Sequence, residues 1–257
     1  MRQGEEPKSV WTPAGDLRMH ARVFGEAAPG GPSVILVHGL VVSGRYMVPA
    51  AERLALHCRV FVPDLPGFGL SDSPPRVLDV AGLSGALSAW MGRIGLQRAT
   101  LVGNSMGCQV IVELAVRHPE RVERAVLQGP TMDPRRRSVL GQAGRFLLDV
   151  PREPPSLVPI EFRDLISAGA RRAWRTLGYA LEDRIEEKLP RVRAPTMVVR
   201  GSRDPIAPQR WAEEAARMPP RGRLRVISDA AHAANYGRAA EFARLVRRFM
   251  EEGGRPS

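Results

Sequence analysis

Short apolar runs without polar alternation recur along this chain, and segments with helical apolar spacing separate them. Such runs are typical of parallel strands that helices cover on both faces. The predicted strands are Val34–His38, Arg59–Pro63, Ala99–Gly103, Ala125–Leu127, Thr196–Arg200 and Leu224–Ile227. The predicted helices are Gly44–His57, Val77–Ile94, Met106–His118, Ala207–Met218 and Arg238–Glu251. The pattern predicts an α/β fold, in which ligands bind beyond the carboxyl ends of the strands.

One connection interrupts this alternation. The stretch 129–195 is too long for a plain loop. Its middle, Ile160–Leu189, has helical apolar spacing, and the Pro-rich piece 151–155 precedes it. We therefore expect residues 131–190 to form an inserted helical cap on a core made of residues 1–130 and 191–257.

The composition is that of a globular protein. The chain has 257 residues, of which 44% are hydrophobic and 25% charged, enough for a sizeable core. The first 20 residues are polar, and no run approaches the roughly 18 apolar residues of a membrane span. Cys58 and Cys108 match neither a disulfide framework nor a metal site. We expect a cytoplasmic protein with no metal and no membrane partner.

The net charge of +11 is carried by arginine, since Lys8 and Lys188 are the chain's lysines. The arginines are spread along the chain and interleaved with glutamate, and a run of three occurs at 135–137. A nucleic-acid face would cluster the charge. The pattern favours a solvated arginine-rich surface and no nucleic-acid partner.

A glycine-flanked serine lies between a predicted strand and a predicted helix, in Gly103-Asn104-Ser105-Met106-Gly107. The five-residue pattern alone is weak, and the strand–turn–helix setting strengthens it. A sharp turn there would expose the Ser105 hydroxyl above the sheet, and the start of the helix would favour developing negative charge. Ser105 is the candidate nucleophile.

A serine hydroxyl needs a base to become a good nucleophile. Among the five histidines, His232 follows the last predicted strand, where such a base would lie. His118 lies at a helix end and is interpreted as a cap. His20 and His57 have no chemical neighbours in the sequence and are interpreted as surface or core residues.

The base in turn needs a carboxylate to orient it. Asp204, just beyond a predicted strand, is the candidate, and Asp133 after the preceding strand is the alternative. Backbone N–H groups would have to stabilise the developing oxyanion. We expect the N–H groups of Met106 and Leu40 to do this. Gly39 would permit the turn that aims the Leu40 N–H inward.

Several motifs in order resemble the α/β-hydrolase superfamily over essentially the whole chain. They are the His38-Gly39 loop, the segment 64–69 with Ser71-Asp72, the turn at Ser105, the segment 201–204, and His232. The resemblance implies a mostly parallel eight-stranded sheet with helices on both faces. It also implies a Ser105–Asp204–His232 triad, an acyl-enzyme intermediate and no cofactor. Within the loop, the His38 side chain is interpreted as a brace and not as a base.

The turn at Ser105 is similar to that of the meta-cleavage-product hydrolases, which cut carbon–carbon bonds. In that family the asparagine before the serine contributes to the pocket, and Asn104 matches it. A tryptophan usually follows the catalytic histidine there, whereas this chain has Ala233. This departure favours a small carboxylic ester as the substrate. Carbon–carbon hydrolysis, enol-lactone hydrolysis and a non-catalytic binding protein remain alternatives.

The cap should close over Ser105 and exclude water. The expected pocket residues, mostly apolar, are Asn104, Val41, Phe146, Leu147, Leu157 and Trp174. The expected ligand is a small, mostly apolar ester or ketone. The oligomeric state is left open, with a homodimer as one candidate.

Overall fold

The computed structural model describes residues 7–26 and 31–252. Its centre is an eight-stranded sheet in the order β1-β2-β4-β3-β5-β6-β7-β8. β2 pairs antiparallel with β1 and with β4, and every other pairing is parallel. The strands are β1 Lys8–Ala14, β2 Leu17–Phe24, β3 Ser33–Val37, β4 Arg59–Pro63, β5 Ala99–Asn104, β6 Val122–Gln128, β7 Thr196–Gly201 and β8 Gly222–Ile227. The predicted mostly parallel eight-stranded sheet is confirmed.

Helices cover both faces of this sheet. They are α1 Val48–Leu54, α2 Val80–Arg93, α3 Met106–Arg117, α4 Val139–Asp149, α5 Val158–Ala168, α6 Ala170–Glu182, α7 Ile185–Lys188, α8 Gln209–Arg217, α9 Ala234–Gly237 and α10 Ala239–Glu251. Within β3, Ile35 packs into the core with α2, α3 and α8, whereas Val34 and Leu36 pack with α1 and α10. Both faces of each central strand are therefore buried, which explains why the strands lack polar alternation.

Two strands went unpredicted. β1 and β2 form an antiparallel hairpin at the sheet edge, where β1 is almost entirely exposed. β1 is the edge strand, and its exposed residues form no apolar run, whereas β2 is mostly buried but its apolar run is interrupted by Arg18, His20 and Arg22.

The long connection between β6 and β7 contains α4, α5, α6 and α7. We refer to residues 131–190 as the cap segment. The helical spacing predicted α5 to α7, whereas α4 went unpredicted. In the described residues, no helix combines the length and apolarity needed to cross a membrane.

Candidate active site

Ser105 occupies a strained turn between β5 and α3. Its backbone has φ 56° and ψ −123°, a region that a non-glycine residue adopts at an energetic cost. The turn is tight because α3 begins directly against β3. A Cβ atom at Gly107 would overlap the carbonyl oxygens of Val37 and His38. The glycine after the serine is therefore required by the close approach of two backbones.

His232 and Asp204 form a buried pair beyond the ends of β8 and β7. His232 Nδ1 lies 2.9 Å from Asp204 Oδ2. Asp204 is itself fixed, because its Oδ1 accepts hydrogen bonds from the amides of Ile206 (2.8 Å) and Ala207 (3.0 Å). The other ring nitrogen of His232, Nε2, has no hydrogen-bond partner among the described residues. Nε2 is the atom at which this imidazole could exchange a proton.

The end of β6 connects the serine turn to the histidine loop. Gln128 accepts a hydrogen bond from the Ser105 amide at 3.0 Å. The side chain of the same glutamine donates to the His232 carbonyl at 2.8 Å, and Asn104 Nδ2 donates to that carbonyl at 3.1 Å. Ser105 and His232 are thus anchored at the same edge of the sheet, although 127 positions separate them.

The loop after β3 lies directly against the serine. A Cβ atom at Gly39 would be 3.1 Å from Ser105 Cβ. Tyr46 holds this loop, since its hydroxyl accepts from the Gly39 amide at 2.9 Å and donates to Asn104 Oδ1 at 2.7 Å. Tyr46 was not predicted, because its contact with Asn104 joins residues 58 positions apart.

The two expected oxyanion donors come from the loop against Ser105 and from the helix that follows it. Leu40 follows Gly39 in the loop, and Met106 is the first residue of α3. A first helical residue has no intrahelical acceptor for its N–H. The use of these two amides as an oxyanion hole stays a prediction.

His38 braces the loop, as predicted. Its Nε2 accepts from the Leu65 amide at 2.9 Å, so Nδ1 carries the hydrogen and donates to the Gly39 carbonyl at 2.9 Å. Burial lowers the pKa of His38. Both ring nitrogens are occupied, which leaves no free atom for a base.

The interpretation of His20 as a residue without chemical neighbours is wrong. Its Nδ1 lies 2.9 Å from Asp64 Oδ2, and both side chains are fully buried. Asp64 also accepts from Arg22 and from the Gly44 amide. Burial would raise the pKa of Asp64, but hydrogen bonding to His20 and the charge of Arg22 outweigh it, and the pKa is about 2. The other two histidines lie elsewhere: His57 is exposed, and His118 follows the last residue of α3.

Asp133, the alternative carboxylate, has other partners. Arg145 of α4 lies 2.9 Å from its Oδ2, and Arg210 of α8 binds its Oδ1. Although burial opposes it, hydrogen bonding to these arginines lowers the pKa of Asp133. Asp133 joins the cap segment to α8 and does not pair with His232.

The expected pocket residues take varied positions. Phe146, Leu147 and Trp174 are 49%, 71% and 63% exposed, so in this conformation they do not enclose Ser105 as expected. Leu157 is fully buried within a hydrophobic cluster and offers no surface to a ligand. The Asn104 side chain is committed to Tyr46 and His232, as described above. Val41, with φ 59°, remains half-buried in the loop beside Leu40.

Cap-segment acids, which the sequence analysis missed, contact the histidine loop. Asp149 at the end of α4 accepts from the His232 amide at 3.3 Å, and Glu153 accepts from the Ala233 amide. Burial raises the pKa of Asp149, of Glu161 and of Glu153, for which it reaches about 7. The side of the site facing the cap segment is therefore acidic.

These acids change the basicity of His232. Burial would lower its pKa, but the charge and hydrogen bond of Asp204, together with the charges of Asp149 and Glu153, raise it to about 9. The surrounding carboxylates therefore stabilise the imidazolium form.

Comparisons with known proteins agree with this geometry. The model of the α/β hydrolase family matches residues 34–245. The chain is 31% identical to a 2-hydroxymuconate semialdehyde hydrolase from Pseudomonas sp. (strain CF600), over 78% of this chain and 79% of the relative. It is 28% identical to a pimeloyl-[acyl-carrier protein] methyl ester esterase from Xanthomonas oryzae pv. oryzae (strain MAFF 311018), over 90% and 98%.

Among solved structures, a thermophilic esterase from Thermogutta terrifontis superposes with a TM-score of 0.78 at 24% identity, covering 96% of this chain and 99% of that one. This likeness shows a shared fold. The family match spans most of the chain and includes the strained serine turn and the His232–Asp204 pair. On this evidence the chain belongs to the α/β-hydrolase family.

Proposed function

We propose that this protein hydrolyses a small, uncharged carboxylic ester. Ser105 attacks the ester carbonyl, and His232 Nε2 takes the proton of the hydroxyl and returns it to the leaving alcohol. Asp204 orients the imidazole and stabilises its charged form. The amides of Leu40 and Met106 hold the oxyanion, and water then releases the acid from the acyl-enzyme.

One observation carries this proposal. His232 is held by Asp204 through Nδ1, while its buried Nε2 remains without a partner among the described residues. It lies at the sheet edge that also carries the strained turn of Ser105. Acyl transfer needs a histidine that a carboxylate orients through one ring nitrogen, while the other ring nitrogen is free to take the proton of a nearby serine.

The acids of the cap segment favour an ester over a ring-fission product. Relatives of both kinds match this chain, so the family alone does not decide between them. A dienoic ring-fission product carries a carboxylate, which the ionised forms of Asp149 and Glu153 beside His232 would repel, for Glu153 above its pKa of about 7. A neutral ester meets no such repulsion.

The test is the Ser105→Ala variant with a short p-nitrophenyl ester. We expect kcat to fall by about 10³-fold or more because the nucleophile is lost. Thermal unfolding should show an intact fold, and Ser167→Ala, at an exposed serine of α5, should retain full activity. Residual activity above about a tenth of the parent would overturn Ser105 as nucleophile.

The same enzyme should then be compared on the neutral ester and on a dienoic ring-fission product. We expect kcat/KM to be higher for the ester. Preference for the ring-fission product would replace the ester proposal with carbon–carbon hydrolysis. A protein that turns over neither substrate and is not labelled at Ser105 by a fluorophosphonate probe would instead be a non-catalytic member of the family.

A further inference from the structure

The outer face of the cap segment is unusually apolar. In the described part of the chain, fifteen large hydrophobic side chains are exposed, and ten of them lie between Leu140 and Trp174. These ten are Leu140, Phe146, Leu147, Leu148, Val150, Val158, Phe162, Leu165, Ile166 and Trp174. We call this set the apolar cap face. Scattered single exposed hydrophobics are normal, whereas a concentration of this kind marks an interaction surface.

Helix α5 shows the arrangement most clearly, because most of its large apolar side chains face solvent while a buried carboxylate faces the protein. Val158, Phe162 and Ile166 follow one another at four-residue intervals and are 47%, 63% and 65% exposed. On the opposite side, Asp164 is buried and accepts two hydrogen bonds of 2.7 Å from Ser43, through its amide and its hydroxyl. The apolar side is thus available to a partner while the polar side is already in use.

Helix α4 repeats this arrangement. Its inward residues are charged: Arg145 pairs with Asp133, and Asp149 binds the His232 amide. Its outward residues include Leu140 and Leu147, which are 86% and 71% exposed. Two consecutive helices therefore present apolar sides to solvent.

The exposed charges around this face have one sign. Between residues 139 and 175 the acids are Asp149, Glu153, Glu161 and Asp164, all buried or half-buried. Four of the arginines in the same range are exposed, namely Arg152, Arg163, Arg171 and Arg175. A second copy of this chain would bring these arginines against their equivalents, so charge opposes self-association through this face.

A basic groove borders the apolar cap face. It has a volume of about 500 Å³, and Arg76, Arg171, Arg172 and Arg175 contribute to its lining. Within the described residues, none of these four arginines forms a salt bridge. Trp174 lies on the same side of α6 as Arg171, because positions three apart share a helix face. Unpaired guanidinium groups next to exposed apolar side chains fit phosphate groups next to acyl chains.

We propose that the apolar cap face docks this protein on an anionic phospholipid bilayer. Phe162, Ile166 and their apolar neighbours enter the acyl boundary, and the arginines of the basic groove bind lipid phosphates. The exposed apolar side chains are spread over three helices and amount to ten residues, which suits a soft lipid surface better than a folded protein partner. The sequence predicted no membrane partner, because no apolar run approaches the length of a membrane span.

The experiment is co-sedimentation with vesicles of phosphatidylcholine mixed with phosphatidylglycerol, and with vesicles of phosphatidylcholine alone. We expect binding to the mixed vesicles that weakens as salt is added, and little binding to the neutral ones. The double variant Phe162→Ser/Ile166→Ser should lower the partition coefficient at least tenfold. Arg171→Gln/Arg175→Gln should abolish the preference for anionic vesicles.

The matched control is Leu56→Ser, at a residue that is 73% exposed but lies outside the cap segment, and it should bind vesicles as the parent does. Because all these side chains are exposed, thermal unfolding should confirm that the variants fold. Absence of binding to anionic vesicles, or equal loss in Leu56→Ser, would overturn the proposal. So would a dimer in vesicle-free solution that Phe162→Ser/Ile166→Ser dissociates. Binding needs no turnover, so the result is independent of the proposed hydrolase activity.

Discussion

At the scale of single residues, the protonation of His232 decides whether the proposed mechanism can operate. A general base must be neutral before it can accept the serine proton. Three carboxylates near this imidazole raise its pKa to about 9, and one of them, Glu153, has a pKa of about 7. The active form of the site should therefore increase as the pH rises from neutral toward 9.

Glu153→Gln should move this dependence to lower pH. Between pH 7 and 9 the glutamate is ionised and favours the imidazolium, so removing its charge lowers the pKa of His232. We expect the rising limb of kcat/KM for a neutral ester to shift down by about one pH unit. Glutamine can still accept the hydrogen bond from the Ala233 amide.

The matched control is Glu52→Gln, at an exposed glutamate of α1. Its pH profile should coincide with that of the parent. An unchanged or upward-shifted limb in Glu153→Gln would show that this carboxylate does not act on His232.

Chain order predicted which histidine and aspartate would pair, because both follow strands that end at the same sheet edge. The contact of Asp149 with His232 could not be predicted in this way. It joins residues 83 positions apart, and it depends on how the cap segment lies on the core. The hydrogen bonds of the Asn104 side chain could not be predicted either, because its partners Tyr46 and His232 lie in the first and last thirds of the chain.

At the scale of elements, the serine turn depends on the close packing of α3 against β3. A side chain at Gly107 would overlap the carbonyl oxygens of two residues of the β3 end, and backbone atoms cannot swing aside as a flexible side chain can. The strain at Ser105 is maintained by this packing.

Gly107→Ala should destabilise the protein by about 3 kcal/mol, because the added methyl group forces α3 away from β3. In a chain of this size that corresponds to a fall in Tm of about 6 to 12 °C. Esterase activity should fall as well, since Ser105 and the loop of Gly39 would separate. Thermal unfolding and ester turnover measure the two effects.

Gly85→Ala in α2 is the matched control, because a Cβ atom there meets nothing within 4 Å. It should raise stability slightly, by up to about 1 kcal/mol, through better helix propensity. Equal Tm changes in the two variants would contradict the packing argument for Gly107.

Elements with two buried faces were predictable. β4 spans Arg59–Pro63, as the sequence predicted. The polar residues at the two ends of an uninterrupted apolar run mark where the strand begins and ends. The edge strand β1 was not predictable, because it exposes Val10 and Trp11 at 42% and 49% and so has no burial pattern. α4 was missed for a related reason, since its apolar residues face solvent and its charged ones face the protein.

At the scale of the whole molecule, charged contacts hold the cap segment on the core. Asp133 with Arg210, Asp149 with the His232 amide, and Asp164 with Ser43 all cross this boundary. Hydrophobic pattern alone would have turned the apolar sides of α4 and α5 inward. In α4 and α5 polar contacts therefore add to the anchoring that buried apolar residues such as Leu157, Ile185 and Leu189 provide.

Asp164→Ala should loosen the cap segment while leaving the sheet intact. The substitution removes the acceptor of two hydrogen bonds from Ser43, and bonds to a charged group contribute about 1.5 kcal/mol or more each. The population of opened cap segment should therefore rise on the order of a hundredfold. Trypsin cleavage at Arg163, Arg171 and Arg175, followed by mass spectrometry, measures this opening.

Glu182→Ala, at an exposed position near the end of α6, provides the matched control and should be cleaved at the parental rate. If Asp164→Ala is cleaved no faster than this control, the Ser43 contact does not hold the cap segment. If cleavage instead spreads evenly over the arginines of α2, α8 and α10, the substitution has unfolded the whole chain. Faster cleavage confined to residues 163–175 would show that the cap segment opens as a unit on a stable core.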